Sequence, residues 1–234
     1  MRSAKSTGRI VGVLLFVQLV VLALPFILLL PITTPDFLEN AAGISSQIRV
    51  AVLLLFASSA LTIGIAIAGF PVFREYSHRM ALWFVAWSVI WFSVQAVDNI
   101  NILSMLSLSQ QYAQGGASSA ELFGALAASV RSTRVWSHYT ELLVIDAWFF
   151  VFYGLLFRFP LVPRALAGFA LIMVVVHAAA ISLPMFLGYG RVMVLAYSLT
   201  LSYLAVGTWL VVKGFDERHR RLRAEAHEAE LAGA

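Results

Sequence analysis

Apolar runs of about twenty residues recur along the whole chain, and this limits the fold more than any single motif. A helix rises about 1.5 Å per residue, so each run matches the roughly 30 Å of hydrocarbon in a bilayer. The pattern predicts an all-α, polytopic membrane protein with six transmembrane helices in one bundle, over residues 10–32, 48–72, 80–108, 134–157, 165–187 and 191–212. Composition agrees: 61% of residues are hydrophobic and 12% charged, about half the charged share of a soluble domain. Residues 1–213 are read as the six-span domain and 214–234 as a charged tail that forms a fraying helix. The absence of cysteine excludes disulfides, thiolate nucleophiles and Cys-ligated metals.

The basic residues set an expected orientation. Arg2, Lys5 and Arg9 precede the first run as in a signal peptide, but the run is too long for a typical h-region and no small-x-small site closes it. An uncleaved first span is expected. With the N-terminus inside, twelve Lys and Arg residues fall on the cytoplasmic side, and only Arg49, Arg131, Arg134 and Arg191 fall outside. Both termini are therefore expected in the cytoplasm. A net charge of +4 would suggest nucleic acid in a soluble protein. Here topology and anionic head groups account for it, so the expected partner is the lipid bilayer and no nucleic acid.

Several local features carry structural expectations. Pro25 is expected to kink the first span and Pro31 to mark its exit, before a short loop 33–47 holding Pro35, Asp36 and Glu39. Ala60, Gly64 and Ala68 repeat at the four-residue spacing that permits close helix approach. Trp83, Trp87 and Trp91 share one face of span 3. The long loop 110–133 is expected to hold a short amphipathic helix, capped by Ser118 with Glu121 and striped by Leu122, Phe123, Leu126 and Val130. That helix is expected in the membrane interface, with a lid over the bundle as the sharper alternative.

Two polar breaks interrupt the apolar runs, and they hold the candidate site. Gln95, Asp98, Asn99 and Asn101 lie within span 3, while His138, Glu141 and Asp146 lie within span 4. A charge at the centre of a span costs about 2.5–3.5 kcal/mol, so such residues turn inward and find partners. Gln95, Asp98 and Asn99 fall on one face, and so do His138 and Glu141, whereas Asp146 points elsewhere. Counted from the outer boundary, Asp98 is expected at about 12 Å and Glu141 at about 10 Å, with Asn101 level with His138. Consecutive helices are usually neighbours, so the four are expected to converge. His177, Tyr197, Arg131 and Arg134 stand at depths from which they can join.

Three chemistries suit such a cluster. His138 and Glu141 can share one metal ion with Asp98 or His177 completing the shell. A desolvated carboxyl can do acid–base work on a lipid-soluble substrate, or titratable groups can form a relay for transport. Interhelical glue is the plain structural alternative, and for His177 hydrogen-bonded packing is the favoured reading. No nucleotide loop, H-E-x-x-H or serine-nucleophile motif is present, so no catalytic residue is assigned and enzyme activity stays open.

Short motifs then give a resemblance. Arg9-Ile10-Val11-Gly12 opens span 1, Val94-Gln95-Ala96 sits within span 3, Phe157-Arg158 closes span 4 and Leu161-Val162-Pro163-Arg164 enters span 5. In this order and at these distances the chain resembles the DUF4386 family of bacterial integral membrane proteins. Members often carry an arginine a few residues before the Val-Gln pair, where this chain has Trp91-Phe92-Ser93. The resemblance implies fold and membrane location, in a bacterial inner membrane, and no activity. The function expected from the residues is binding of a small or lipid-like ligand in a polar pocket open to the outer side. Its alternatives are a membrane-embedded enzyme, metal-dependent or acid–base, and a proton-linked transporter or structural partner subunit.

Overall fold

The structure, a computed structural model, describes residues 3–34, 36–115, 119–189 and 193–217. Arg2, Pro35, Ser118 of the expected capping box, Arg191 and the charged tail from residue 218 lie outside the described residues. Described residues form helices α1 (Ala4–Leu28), α2 (Phe37–Asn40), α3 (Ser45–Tyr76), α4 (His78–Ala113), α5 (Ala120–Arg158), α6 (Arg164–Leu187), α7 (Met193–Ala196) and α8 (Ser198–Lys213). Short 3₁₀ turns at Leu30–Thr33 and Ala42–Ile44 flank α2.

Helices α1, α3, α4, α5 and α6 are long and apolar enough to cross a membrane. Their outward faces are apolar too: Leu53, Ile67, Ile100 and Ile172 are each more than half exposed. Water would penalise such a surface, whereas hydrocarbon does not. The chain is a multi-pass membrane protein. The sixth apolar run is interrupted at Tyr197, leaving α7 and the 16-residue α8. Pro25 is accommodated within α1, as are Pro71 within α3 and Pro184 within α6.

The expected loop 110–133 is largely helical, which corrects the reading of a separate amphipathic helix. Helix α4 continues to Ala113, and α5 starts at Ala120 and runs unbroken for 39 residues. At about 1.5 Å per residue that is on the order of 58 Å, well beyond the hydrocarbon thickness. The apolar stripe is therefore the first part of α5. Phe123, Ala127 and Val130 turn to a buried core, while Leu122 and Leu126 stay exposed.

The residues sort into two compact units. One comprises Met1–Phe16, Gly64–Ala86 and Asp146–Ala234. Its interior is aromatic: Phe84 stacks on Phe152 at 5.3 Å, Trp148 on Phe152 at 5.5 Å, and Phe73 meets Phe215 at 5.5 Å. Two buried tyrosines place their hydroxyls on partners. Tyr203 donates to the Leu15 carbonyl at 2.8 Å, and Tyr153 lies 3.2 Å from the Ser202 hydroxyl. The start of α1 packs closely on the end of α8 through glycine. A Cβ on Gly12 would sit 2.7 Å from Val211 N, and one on Gly8 would collide with Phe215 N. Gly214 adopts φ +73°, and a Cβ there would strike the Lys5 carbonyl. Beside it, the Lys5 N–H donates to Glu217 Oε1 at 3.0 Å, so a carboxylate caps the first turn of α1.

The other unit comprises Val17–Ile63 and Trp87–Ile145. The segment between α1 and α3 is built into its core, with Ile32, Phe37 and Ala41 packed among Ile48, Ile102 and Met105. Ser109 pins this segment, donating to the Leu38 carbonyl and accepting from the Ala42 N–H, both at 2.8 Å. Gln18, fully buried, donates to the Ser58 carbonyl at 3.2 Å.

Close approach thus runs through Gly8 and Gly12, spaced as G-x-x-x-G, rather than through Gly64, whose added Cβ would meet nothing within 4 Å. Gly12→Ala is expected to cost about 1–3 kcal/mol, the usual range for overpacking against atoms that cannot yield. Gly64→Ala should leave stability unchanged. Thermal unfolding of both variants in detergent checks this, and equal melting would argue against the close α1–α8 contact.

Candidate functional site

The polar faces of α4 and α5 meet within the unit formed by Val17–Ile63 and Trp87–Ile145. On α5, Arg134, Ser137, His138 and Glu141 follow the i, i+3, i+4, i+7 spacing of one helix face. On α4, Gln95, Asp98 and Asn99 do the same, and all three are buried. Asp98 is the hub. Its Oδ1 accepts the Ser137 hydroxyl at 2.6 Å, and its Oδ2 lies 3.5 Å from an Arg134 nitrogen and 3.9 Å from His138 Nδ1. His138 Nδ1 also lies 3.3 Å from Glu141 Oε2, so the imidazole stands between two carboxylates.

The Ser137 hydroxyl has one proton and two acceptors in range, Asp98 Oδ1 at 2.6 Å and the Arg134 carbonyl at 3.0 Å. The Asp98 oxygen is the closer, so the hydroxyl donates to it. Gln95 and Asn99 form a second layer, with Gln95 Nε2 donating to Asn99 Oδ1 at 3.1 Å. Asn99 in turn reaches the Val52 carbonyl of α3 at 3.5 Å. Asn101 is half-buried further along α4.

The register differs from the expected one. Even depths would set Asp98 beside Glu141, but its nearest partners on α5 are Arg134, Ser137 and His138, up to two turns earlier. The cause is the short connection between Ala113 and Ala120. An antiparallel helix pair with so short a turn matches residues about equally far from it, and Asp98 and Ser137 meet that condition. Ser137 was missed in the sequence reading. Its signal was the four-residue polar face from Arg134 to Glu141, but a serine in a helix can bond to its own backbone and so does not by itself mark a site.

Access to the cluster is uneven. The Asp98 and Glu141 side chains are 1% and 4% exposed, whereas Arg134 and His138 retain 16% and 26%. His138 and Arg134 therefore form the exposed edge of the cluster, and the two carboxyl groups its buried side. Arg134 Nε is buried without a hydrogen-bond partner among the described residues, so the guanidinium keeps one donor in hand. A groove of about 380 Å³ also lies on α4 and α5, lined by Ile100, Leu103, Ser104, Leu108, Leu126 and Val130, among others. It is mostly apolar and begins about one turn from the cluster on each helix.

Of the remaining candidates, Asp146, His177 and Tyr197 lie in the aromatic unit and Arg131 in the other. His177 Nδ1 and Asp146 Oδ1 are 2.6 Å apart, both residues 5% exposed, forming a buried α5–α6 pair. Asp146 Oδ2 is buried without a hydrogen-bond partner among the described residues. Tyr197 is 61% exposed at the break before α8. Arg131 lies at the surface, 3.5 Å from the Thr33 carbonyl.

The Asp98–Arg134 pair yields a stability prediction. Removing one partner leaves the other charge buried, so Arg134→Ala should cost about 2–3 kcal/mol, against little for Arg131→Ala. Adding Asp98→Asn to Arg134→Ala should recover part of the loss, because the stranded charge is gone. A double-mutant cycle of thermal unfolding reads the coupling, and strict additivity would remove the pair from the account.

The model of one family, a domain of unknown function (DUF4386), matches residues 10–214. No curated protein and no solved structure matches the chain.

Proposed function

The chain belongs to the DUF4386 family, and on that premise we propose a six-span protein of the bacterial inner membrane that binds a small or lipid-like ligand on its outer side. The observation that carries the ligand reading is the convergence of Asp98, Glu141, His138 and Arg134 at one point, with only the last two partly exposed. A ligand with a polar head would engage His138 and the partly exposed guanidinium of Arg134, above the buried carboxyl groups. Its apolar part would follow the groove between Leu103 and Leu126, which starts a turn away. Gln95, Asn99 and Asn101 form the inner wall of this site or flank it, and the Asp146–His177 pair stands apart as a membrane-buried bond between α5 and α6.

Six crossings with both termini cytoplasmic agree with two observations. Lys5 and Glu217 are in contact, which favours an even number of crossings between them. Five long helices plus the α7–α8 run make six. The excess of basic residues then assigns that side to the cytoplasm. The domain would span residues 1–213 with the charged tail following.

Two measurements check this reading. Native mass spectrometry of the detergent-purified protein is expected to show a retained lipid-like adduct that is lost in the Asp98→Asn, Glu141→Gln variant. Equal retention in wild type and variant sinks the site. A periplasm-specific reporter fused after Ala234 should stay silent, and activity there would overturn the topology.

A further inference from the structure

The cluster also has the composition and spacing of a metal centre. One donor atom each from Asp98, His138 and Glu141 lie within 4.8 Å of one another. Zinc-type bonds of about 2.0–2.1 Å in a tetrahedron set ligand atoms about 3.3 Å apart. His138 Nδ1 and Glu141 Oε2 already stand at 3.3 Å, and His138 Nδ1 and Asp98 Oδ2 at 3.9 Å, within a small side-chain adjustment. Both separations exceed the 2.7–2.9 Å of a well-made charged hydrogen bond. They suit three atoms converging on a fourth better than three atoms bonded to one another.

Two further observations point to an ion. Metal-bound carboxylates are held by partners on the other oxygen, and Asp98 Oδ1 has that support from Ser137 at 2.6 Å. Asp98 and Glu141 also bring two carboxyl groups together in an apolar bundle beside a single guanidinium, that of Arg134 at 3.5 Å from Asp98, so a divalent cation would find two acidic oxygen ligands and one imidazole at the same point.

We propose that Asp98, His138 and Glu141 form a three-ligand site for a divalent transition metal of zinc type, with the fourth position open to water or a ligand oxygen. The donor set of one imidazole and two carboxylates suits zinc or cobalt better than calcium or magnesium, which prefer all-oxygen shells. Ligation uses neutral imidazole, so any proton held on His138 leaves when the metal binds. Ser137 is a positioning residue, acting through Asp98. This inference rests on the reading of the cluster as a binding site, and it names the ion that site takes.

Cobalt supplies the test. The full-length protein in detergent, stripped with chelator and dialysed against cobalt(II), is expected to take up about one ion per chain and show the intense visible bands of a tetrahedral site. Glu141→Gln and Asp98→Asn should lower affinity at least tenfold, and Ser137→Ala about tenfold, as outer-shell partners do. His138→Cys covers the case where those variants fail to fold. The chain has no cysteine, so a near-ultraviolet thiolate-to-cobalt band in that variant can arise only from position 138. Absence of both the visible bands in wild type and the thiolate band in the variant overturns the metal site. Protein that takes up no cobalt yet retains the lipid-like adduct refutes this inference alone. Metal uptake without any adduct supports it and refutes the lipid-ligand reading.

Discussion

Inside hydrocarbon a polar side chain has no water to return to, so it must find a partner within its own helix or on a neighbour. The α4–α5 seam follows from that constraint. Asp98 engages Ser137, Arg134 and His138, and Glu141 closes the group through the same imidazole. Because the two helices meet across a short connection, satisfying Asp98 fixes their register, and the register in turn places Ile102 and Met105 against the core around Phe37. A one-turn slip would strand a carboxylate in the apolar interior. The polar cluster thus specifies how the helices pair as well as offering a site.

The aromatic unit meets the same constraint by other means. Its centre is a stack of Phe84, Trp148 and Phe152, and the buried hydroxyls of Tyr153 and Tyr203 are placed on Ser202 and the Leu15 carbonyl. The buried Asp146–His177 pair ties α5 to α6. With no hydrophobic driving force between helices in lipid, close contact must come from shape. Gly8 and Gly12 supply it by letting α1 lie against α8, and Gly214 turns the chain so that Glu217 caps α1.

Much of the candidate site was legible from spacing. Gln95, Asp98 and Asn99 read as one face of α4, and they are buried on one face. His138 and Glu141 read as a pair on α5 and stand 3.3 Å apart. Asp146 read as pointing elsewhere and bonds to α6. What escaped was Ser137, a small hydroxyl that can bond within its own helix, and the partnership of Asp98 with Arg134, which depends on how far α4 runs before it turns. The amphipathic stripe from Leu122 to Val130 was visible as a stripe. Its fusion into α5 was not, because nothing local distinguishes a short interfacial helix from the first turns of a long one.

Hydropathy and helical periodicity are properties of neighbouring residues, so the sequence by itself determined the all-helical membrane class, the approximate helix positions and the residues sharing each polar face. Contacts between helices depend on where each helix ends, how its neighbour is offset and which small residues admit close approach. The tertiary structure alone decided that Asp98 meets Ser137 and not Glu141 directly, that α1 closes on α8 through Gly8 and Gly12, and that α7 and α8 replace one continuous sixth helix. The physical reason is distance along the chain: residues 98 and 137, or 12 and 211, are brought together by packing that no local window contains.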